Sequence, residues 1–501
     1  MNPAPTQPVS AAAPDSHAVR TALILLASVT LFRLWYAAQL GLVCDETYYW
    51  MWSRHLAASY TDKGPAIALL IALGTWVFGD NPFGIRWLGV LLAAGTGWQI
   101  FRLARRLYGD RVALWSLVVA CLLPLFAVGS VIMTIDTPSV FCWAWAVNVF
   151  WTALESGRTR HWIGLGLIIG AGFLAKFTNG VQLGCLFLFL LWSAPHRRFL
   201  VSRQSVALVA AFLVCTMPVI WWNMQVGWLH AAALHSRSGL ENSFQIRPAQ
   251  LLRFLGEEVG VISPLIALGM VIAAAGLLVT QQRDPRVRLL LSQFVPLYAI
   301  FTFFSLSTAG KGNWPAPALV TAVVLVVVFW QDLGQRRPAW RYAINTALGV
   351  AGVMTVAIHV VPFIYLPPTS PLAKPLHGLA KRSQGWEDLG AHVQKARDQY
   401  QPHLLIANHY SQASLVQFHL ADHPKIYQPT GWHPQFALWG GYALAPGTRA
   451  LFITDDITQN PDALGRPLKQ EFKNRQLVDD FWTQYRGQNM THLRIYLLTN
   501  D

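Results

Sequence analysis

The stretch "VCDETYYWMWSRHLAASYTDKGPAIALL", residues 43–70, directly follows an apolar run at residues 21–43. That run is long enough to cross a bilayer, which takes roughly 20 apolar residues. Asp45 and Glu46 therefore come immediately after a predicted membrane span, and an aromatic segment and Lys63 follow them. Aromatic residues at this point are typical of a helix that lies at the membrane–water interface. The stretch predicts a membrane protein that presents charged side chains at the depth of the lipid headgroups.

The composition of the whole chain supports a membrane fold. Of its 501 residues, 54% are hydrophobic and only 12% are charged, whereas soluble domains carry about 25% charged residues. The hydrophobic pattern predicts eleven transmembrane helices, near residues 21–43, 83–107, 111–129, 137–155, 161–176, 178–194, 205–222, 258–280, 288–306, 314–331 and 341–365. The shorter apolar stretch at residues 65–79 predicts an interfacial helix instead.

The distribution of basic residues predicts the orientation. The net charge is +14, and the arginines cluster in short alternate loops rather than along one polar domain. This pattern indicates positive-inside loops and not a nucleic-acid surface. We therefore expect a multi-pass protein of the bacterial inner membrane, with a cytoplasmic N-terminus and an extracytoplasmic C-terminus.

The polar regions at the two ends differ from the membrane region. Residues 1–20 predict a disordered cytoplasmic tail, residues 21–365 a transmembrane domain, and residues 366–501 a small extracytoplasmic α/β domain. In the last region, residues 386–400 and 411–421 have helical patterns, and residues 403–410, 449–456 and 492–500 have strand patterns. The five cysteines form no CxxC pair, so they indicate neither a metal site nor a disulfide framework.

Three carboxylates are candidates for chemistry in the predicted outer loops. Asp45, Glu46 and Asp136 are each at the start of a helical pattern, where a carboxylate also serves as a helix cap. Carboxylates from separate helices can instead converge as a general base and as metal ligands. Oxygen ligands from Asp45 and Asp136 would suit Mg²⁺, Mn²⁺ or Ca²⁺.

Four cations in the predicted outer loops are candidates for binding a phosphate: Lys63, Lys176, Arg247 and Lys311. Each has the alternative of extending to the interface without a ligand. Arg54, Arg86, Arg237 and Arg253 compete for the same role. No Walker-type loop, GxGxxG or DxD occurs, and the predicted cytoplasmic loops are short, so the sequence predicts no nucleotide cofactor.

Several motifs resemble those of one known superfamily. "DETYYWMWSRHLAASYTDKGPAIALLIALGTWVFGDNPFGIRWLG" at residues 45–89 resembles the first outer loop of the GT-C glycosyltransferases. "MTIDTPSVFCWAW", "GAGFLAKFTNG" and "KGNWPAPA" are similar to later motifs of the protein O-mannosyltransferases and the lipid A aminoarabinose transferases, in the same order. The resemblance covers roughly residues 20–365 and does not extend clearly to the C-terminal region.

The resemblance implies an enzyme that transfers a sugar from a polyprenyl-phosphate donor, with inversion at the anomeric carbon, on the extracytoplasmic face. It implies that Asp45 is the general base or a metal ligand, that Glu46 adjoins it, and that Asp136 is a second carboxylate. Lys63 and Lys176 would neutralise the lipid phosphate, and Tyr48 is assigned to the substrate site. The acceptor would be a glycan, a lipid or a protein, with membrane lipids around it and no nucleic acid.

Two departures from the superfamily pattern bear on these roles. The chain has only Pro65 after "DKG" where relatives often have two prolines, and Ile135 precedes Asp136 where relatives often have a proline. Two other functions stay open: a transporter or flippase of lipid-linked sugars, and a non-catalytic subunit in the assembly of envelope glycans. A transporter usually has internal repeats and polar groups at the bilayer midplane, and neither is evident here.

Overall fold

The computed structural model describes residues 16–229, 245–308, 310–364, 380–455 and 465–500. The predicted boundary at residue 366 and residues 1–15 of the predicted tail lie outside these ranges. Residues 16–20 form the first turn of a helix.

The larger part of the chain is helical. In chain order the helices are α1 (Ser16–Gln39), α2 (Cys44–Ser53), α3 (Ala66–Phe78), α4 (Pro82–Tyr108), α5 (Asp110–Leu122), α6 (Pro124–Gly129), α7 (Asp136–Ser156), α8 (Thr159–Ala175), α9 (Val181–Trp192), α10 (Arg203–Gln225), α11 (Pro248–Ile262), α12 (Pro264–Thr280), α13 (Pro285–Phe304), α14 (Leu319–Arg336) and α15 (Trp340–Val360).

Five helices of the described chain are long and apolar enough to cross a membrane: α1, α10, α13, α14 with the turn before it, and α15 with the turn after it. Helices α11 and α12 meet at a bend of 105° and make a sixth span if they are counted as one. The chain is therefore a multi-pass membrane protein. The other apolar segments are also helical, but their length and composition alone do not establish the predicted total of eleven spans.

Within residues 380–455 and 465–500, the C-terminal part combines a sheet with four helices. The helices are α16 (Trp386–Tyr400), α17 (Tyr410–His419), α18 (Pro434–Leu438) and α19 (Gly465–Glu471). The strands are β1 (Leu404–Ala407), β2 (Ile426–Tyr427), β3 (Arg449–Thr454), β4 (Asn474–Tyr485) and β5 (Gln488–Thr499). Their spatial order is β2-β1-β3-β5-β4. Strands β2, β1 and β3 are parallel, whereas β5 is antiparallel to both β3 and β4.

The C-terminal part packs directly on α2. The Tyr48 ring lies parallel to the Phe436 ring of α18, with centroids 6.3 Å apart, and 4.5 Å from the Tyr410 ring of α17. The Thr47 and Ser414 hydroxyls form a buried hydrogen bond of 2.9 Å. Helix α2 therefore packs with one face on the membrane helices and with another on the α/β part. The exposed Asp45 lies in its first turn.

Candidate active site

Asp45 lies in the first turn of α2 and is exposed to solvent. Its neighbours still desolvate the carboxylate, and this raises its pKa above the ordinary aspartate value. The negative charges of Glu46 and Asp136 act in the same direction, whereas the ammonium groups of Lys311 and Lys63 oppose the shift. The Asp45 carboxylate is thus accessible to ligands. Its affinity for a proton is increased, as a general base requires.

Glu46 points in a different direction from its neighbour. Its side chain is completely buried and forms a salt bridge with the buried Arg86, with an Oε2–Nη2 distance of 2.5 Å. Its Oε1 accepts hydrogen bonds from Arg86 Nε at 2.7 Å and from the Met133 amide at 2.8 Å. The Val43 amide donates to Oε2 at 3.0 Å, so Glu46 also caps α2. These contacts show that Glu46 is held in the interior and does not line the open site.

Arg86 completes this buried network. Its guanidinium also donates to the carbonyls of Ala37 at 2.9 Å and Gly41 at 2.8 Å, where α1 ends. Last-turn carbonyls have no partner within their own helix. The pair therefore joins the end of α1 to α2 and α4, and Arg86 is occupied within the protein rather than at a phosphate site.

Asp136 opens α7 and is held from two sides. Lys176 Nζ donates to Oδ1 at 2.6 Å, and Asn313 Nδ2 donates to Oδ2 at 2.6 Å. The side chains of Lys176 and Asp136 are 9% and 15% exposed, so this pair is only partly screened by water. Lys176 also donates to the Trp314 carbonyl at 3.3 Å. The three motifs that contain Asp136, Lys176 and Asn313 are far apart in sequence and meet at one point.

Lys63 and Lys311 complete a group of charges around Asp45. Lys63 is half-buried, and its carbonyl accepts hydrogen bonds from the Tyr60 amide at 3.0 Å and the Ser59 hydroxyl at 3.3 Å. Lys311 is exposed. Both ammonium groups interact electrostatically with Asp45, and Lys311 has the larger effect. The structure thus gathers Asp45, Asp136, Lys63, Lys176 and Lys311 into one site.

Two other predicted residues lie apart from this group. The exposed Arg247 guanidinium donates to Gln245 Oε1 at 3.0 Å, and it has no described contact with the carboxylates. Tyr48 is 3% exposed and belongs to the aromatic contact between α2 and the α/β part. Among the competing arginines, Arg54 pairs with Asp80 and Arg253 with Glu257, while Arg237 lies outside the described residues.

The sequence analysis missed three residues near the site. Tyr49 is buried, and burial followed by the nearby charges of Asp45 and Asp136 raises its pKa well above the ordinary tyrosine value. Tyr49 could have been predicted from the sequence, because it follows Asp45 by four residues on one helix and residues at this spacing share a helix face. His409 and His433 come from the α/β part. Burial lowers the pKa of His409, against the opposing charges of Asp455 and Asp45, while His433 Nε2 lies 3.7 Å from Asp62 Oδ2.

The donor set does not fit a divalent cation well. Both oxygens of Asp136 are already engaged by Lys176 and Asn313, and lysines surround Asp45. Within the described ranges, no three His, Cys, Asp or Glu side chains come together as a metal site. Mg²⁺ and Ca²⁺ need several oxygen ligands, so we derive no chemical step through the predicted metal.

Comparisons with known proteins agree with this architecture. Residues 62–222 match the family described as dolichyl-phosphate-mannose-protein mannosyltransferase. The chain is 27% identical over 309 residues to the lipid A galacturonosyltransferase RgtD of Rhizobium johnstonii, covering 59% of this chain and 63% of the relative. It is 30% identical over 336 residues to the undecaprenyl phosphate-α-4-amino-4-deoxy-L-arabinose arabinosyl transferase of Pseudomonas aeruginosa, covering 60% and 58%. The chain thus spans about three fifths of the length of these relatives.

A solved structure extends the similarity to the whole fold. The crystal structure of ArnT from Cupriavidus metallidurans bound to undecaprenyl phosphate superposes with a TM-score of 0.62 at 15% identity. The superposition covers 94% of this chain and 97% of the other, and so includes both the membrane helices and the α/β part. The matching family and the relatives show that the chain is similar in sequence to glycosyltransferases, and the superposition shows that it shares the fold of ArnT.

Proposed function

We propose that the protein is a membrane glycosyltransferase that moves a sugar from a polyprenyl-phosphate donor to an acceptor hydroxyl, with inversion at the anomeric carbon. The observation on which this depends is an open carboxylate, Asp45, which interacts with Lys63, Lys311 and Asp136, while Asp136 in turn binds Lys176. One transfer reaction needs a base for the acceptor and cations for a departing phosphate. The name of the Pseudomonas relative supports a donor of this class. The name of the Rhizobium relative supports a lipid acceptor, and the description of the matching family supports a protein acceptor as the alternative.

Asp45 is the proposed general base. The acceptor oxygen attacks the anomeric carbon from the face opposite the phosphate, and its proton passes to the Asp45 carboxylate. The new bond joins the acceptor oxygen to the anomeric carbon, and the bond that breaks joins that carbon to the phosphate oxygen. The electron pair of the broken bond stays with the polyprenyl phosphate, so the reaction needs no redox partner and no nucleotide.

The lysines are the proposed phosphate contacts. The departing phosphate gains negative charge as the bond breaks, and positive groups that are fixed beforehand stabilise that charge. Lys176 is held by Asp136 and by the Trp314 carbonyl, so little reorganisation is needed when the phosphate arrives. Asp136 acts in this scheme as the positioning residue for Lys176, together with Asn313.

The placement in the membrane is part of the same proposal. We infer eleven spans within residues 21–365, a cytoplasmic tail at residues 1–20, and an extracytoplasmic α/β domain at residues 366–501. The alternation of arginine-rich loops supports a cytoplasmic N-terminus in the inner membrane. The site then lies at the outer interface, where the sugar of a lipid-linked donor is presented.

The test is sugar release from synthetic polyprenyl-phosphate sugars by the purified protein, with and without a divalent metal. We expect the wild type to consume at least one donor, Asp45→Asn to be inactive although folded, and Asp136→Asn to be strongly impaired. A chelator should leave the wild-type rate unchanged, because the donor set does not favour a metal.

Asp80→Asn is the matched control for these variants. Asp80 is another acid near α2, and an asparagine keeps an oxygen that can accept the Trp50 indole hydrogen bond of 2.8 Å. Activity in this control shows that losing an outer carboxylate is not harmful in itself. If the wild type consumes none of a broad donor panel but moves such lipids across a vesicle bilayer, the proposed transferase function is wrong.

A further inference from the structure

A pocket of about 230 Å³ lies where the α/β part meets the end of α2. Met51 and His55 line it from the side of α2, and residues 425–431 together with the turn around α18 line it from the side of the α/β part. We call it the α/β pocket. Pockets for drug-sized ligands enclose roughly 300–1,000 Å³, so this one suits a single small ring rather than an extended chain. None of the charged residues of the candidate active site lines it.

Two glutamines of the α/β pocket have unused hydrogen-bonding groups. Gln428 is 7% exposed, and neither the nitrogen nor the oxygen of its side-chain amide has a partner within the described residues. Gln417 is also 7% exposed. Its Nε2 donates to the His423 carbonyl at 3.4 Å, whereas no described residue donates to its Oε1. Buried polar groups are nearly always hydrogen-bonded, so these glutamines favour a ligand that carries hydroxyl groups.

Lys425 gives the α/β pocket a positive charge. This lysine is exposed, its Nζ donates to the Trp439 carbonyl at 3.2 Å, and Nζ lies 4.8 Å from the centre of the Tyr427 ring. An ammonium group has three hydrogens to donate, so two remain for a ligand. No aspartate or glutamate of the described chain lines the pocket. The lining therefore favours an anion over a cation.

Two acids lie beside the lining residues, and each already has a partner in the fold. The Thr430 hydroxyl donates to Glu471 Oε1 at 3.0 Å, and His433 Nε2 lies 3.7 Å from Asp62 Oδ2. Neither acid forms an ion pair with Lys425 in the part of the chain that the structure describes. The charge of Lys425 is thus left for a ligand to compensate.

Aromatic rings form another wall of the α/β pocket. The His55 ring stacks on the Trp439 ring with centroids 5.0 Å apart, and Trp439 contacts the Phe436 ring at 5.3 Å. Burial and then the charge of Lys425 lower the pKa of His55, so its imidazole is neutral at pH 7. These uncharged rings offer an apolar surface to the face of a ligand ring, while the lysine and the glutamines offer hydrogen bonds to its edge.

We propose that the α/β pocket binds one anionic sugar unit, at a site separate from the charged group around Asp45. The carboxylate or phosphate of the sugar accepts hydrogen bonds from Lys425, its hydroxyls pair with Gln428 and Gln417, and one face of its ring packs on the aromatic wall. Hydrogen bonds between charged groups are the strong ones. A neutral sugar would leave the Lys425 hydrogens unused. The binding does not involve sugar transfer, so this inference does not rest on the proposed function.

The experiment measures sugar binding to the full-length protein in detergent by ligand-observed NMR titration. The probes are glucose, glucuronate and glucose 6-phosphate, which differ only at C6 and so distinguish a carboxylate from a phosphate. We expect at least one of the two anionic sugars to bind the wild type about tenfold more tightly than glucose, as hydrogen bonds to a charged group predict. Lys425→Met should remove that preference, and Lys425→Arg should restore part of it. Gln428→Leu should instead weaken the binding of all three sugars, because it removes contacts to the hydroxyls.

Lys395→Met is the matched control, since Lys395 is an exposed lysine of α16 that does not line the pocket. The midpoint of thermal unfolding of Lys425→Met should equal that of the wild type, because this side chain is exposed, and this separates lost binding from lost folding. The proposal is wrong if the wild type binds none of the sugars or binds all three equally. It is also wrong if Lys311→Met rather than Lys425→Met removes the preference, since the sugar then occupies the charged group around Asp45. Failure of sugar transfer would overturn the proposed function and leave this binding result unaffected.

Discussion

Asp45 and Glu46 show how differently two adjacent carboxylates behave on one helix. Successive residues of an α-helix point about 100° apart, so Asp45 reaches the open site while Glu46 enters the interior. Asp45 keeps contact with water and with the field of Lys311, whereas Glu46 has its oxygens occupied by Arg86 and two backbone amides. Removing the charge of Asp45 should therefore lower activity, whereas removing the charge of Glu46 should lower stability.

The first prediction concerns the pH dependence of Asp45. Only the carboxylate form accepts a proton, so activity should fall as the pH drops through the pKa of Asp45. Because neighbouring groups desolvate the carboxylate and raise that pKa, the acid limb of kcat/KM should lie above the ordinary aspartate value of about 3.9. Asp45→Asn should lower the rate by about 10²- to 10⁴-fold, the usual contribution of a general base. A pH–rate profile of the wild type checks the limb, and a limb at or below the ordinary value would contradict this assignment.

The second prediction concerns stability. Glu46→Gln leaves the Arg86 guanidinium buried without its counter-charge, and breaking one partner of a buried pair costs about 3–5 kcal/mol. We expect a clearly lower midpoint of thermal unfolding in detergent, together with reduced yield. Asp45→Asn is the control, because the same chemical change on an exposed side chain should leave the midpoint nearly unchanged. Equal midpoints for the two variants would show that the Glu46–Arg86 pair does not stabilise the fold.

The sequence located the charged residues of the site but not their neighbours. Asp45, Asp136, Lys63, Lys176 and Lys311 were predicted because charges beside apolar runs stand out. The split between Asp45 and Glu46 depends on how α2 is rotated against α4, which residue types alone do not determine. The contributions of Tyr49, His409 and His433 also depend on tertiary packing.

At the scale of elements, short segments between helices present the site residues. The segment that contains Lys63 packs against the end of α8. This helix ends at Ala175, and Lys176 follows it directly. Gly64 makes this contact possible, since a Cβ at this position would lie 2.1 Å from the Leu174 carbonyl oxygen. The distance between two phosphate-binding candidates is thus fixed by one close backbone approach.

The third prediction tests that approach. Gly64→Ala must push the Lys63 segment away from α8, because the Leu174 carbonyl is backbone and cannot rotate aside. A displacement of about 1 Å at a catalytic site can cost roughly 100-fold in rate, so we expect a loss of that order with the fold retained. Gly164→Ala is the control, because Gly164 lies on α8 and a methyl group there would have open space around it. Activity near the wild-type level in Gly64→Ala would show that Lys63 does not need this position.

At the scale of the whole molecule, the α/β part forms one wall of the active-site region. Hydrophobic pattern predicted the strands and helices of this part and the apolar helices of the membrane part, because both signals are local. Their docking was not predicted, since it depends on shape and on single hydrogen bonds across long sequence distances. Gly41, for example, lies so close to the Ser383 carbonyl oxygen that a Cβ would be 1.9 Å from it.

The last prediction addresses this docking through Gln435 of α18. Its Oε1 accepts the buried Thr61 amide hydrogen at 2.9 Å and so holds the segment that continues into Lys63. Gln435→Ala removes this buried hydrogen bond, which costs about 1–3 kcal/mol, and it frees the segment to shift. We expect a lower unfolding midpoint and a lower kcat, whereas Gln484→Ala, at an exposed hairpin position, should change neither. If Gln435→Ala lost stability but kept full kcat, the α/β part would support the fold without positioning the Lys63 segment for catalysis.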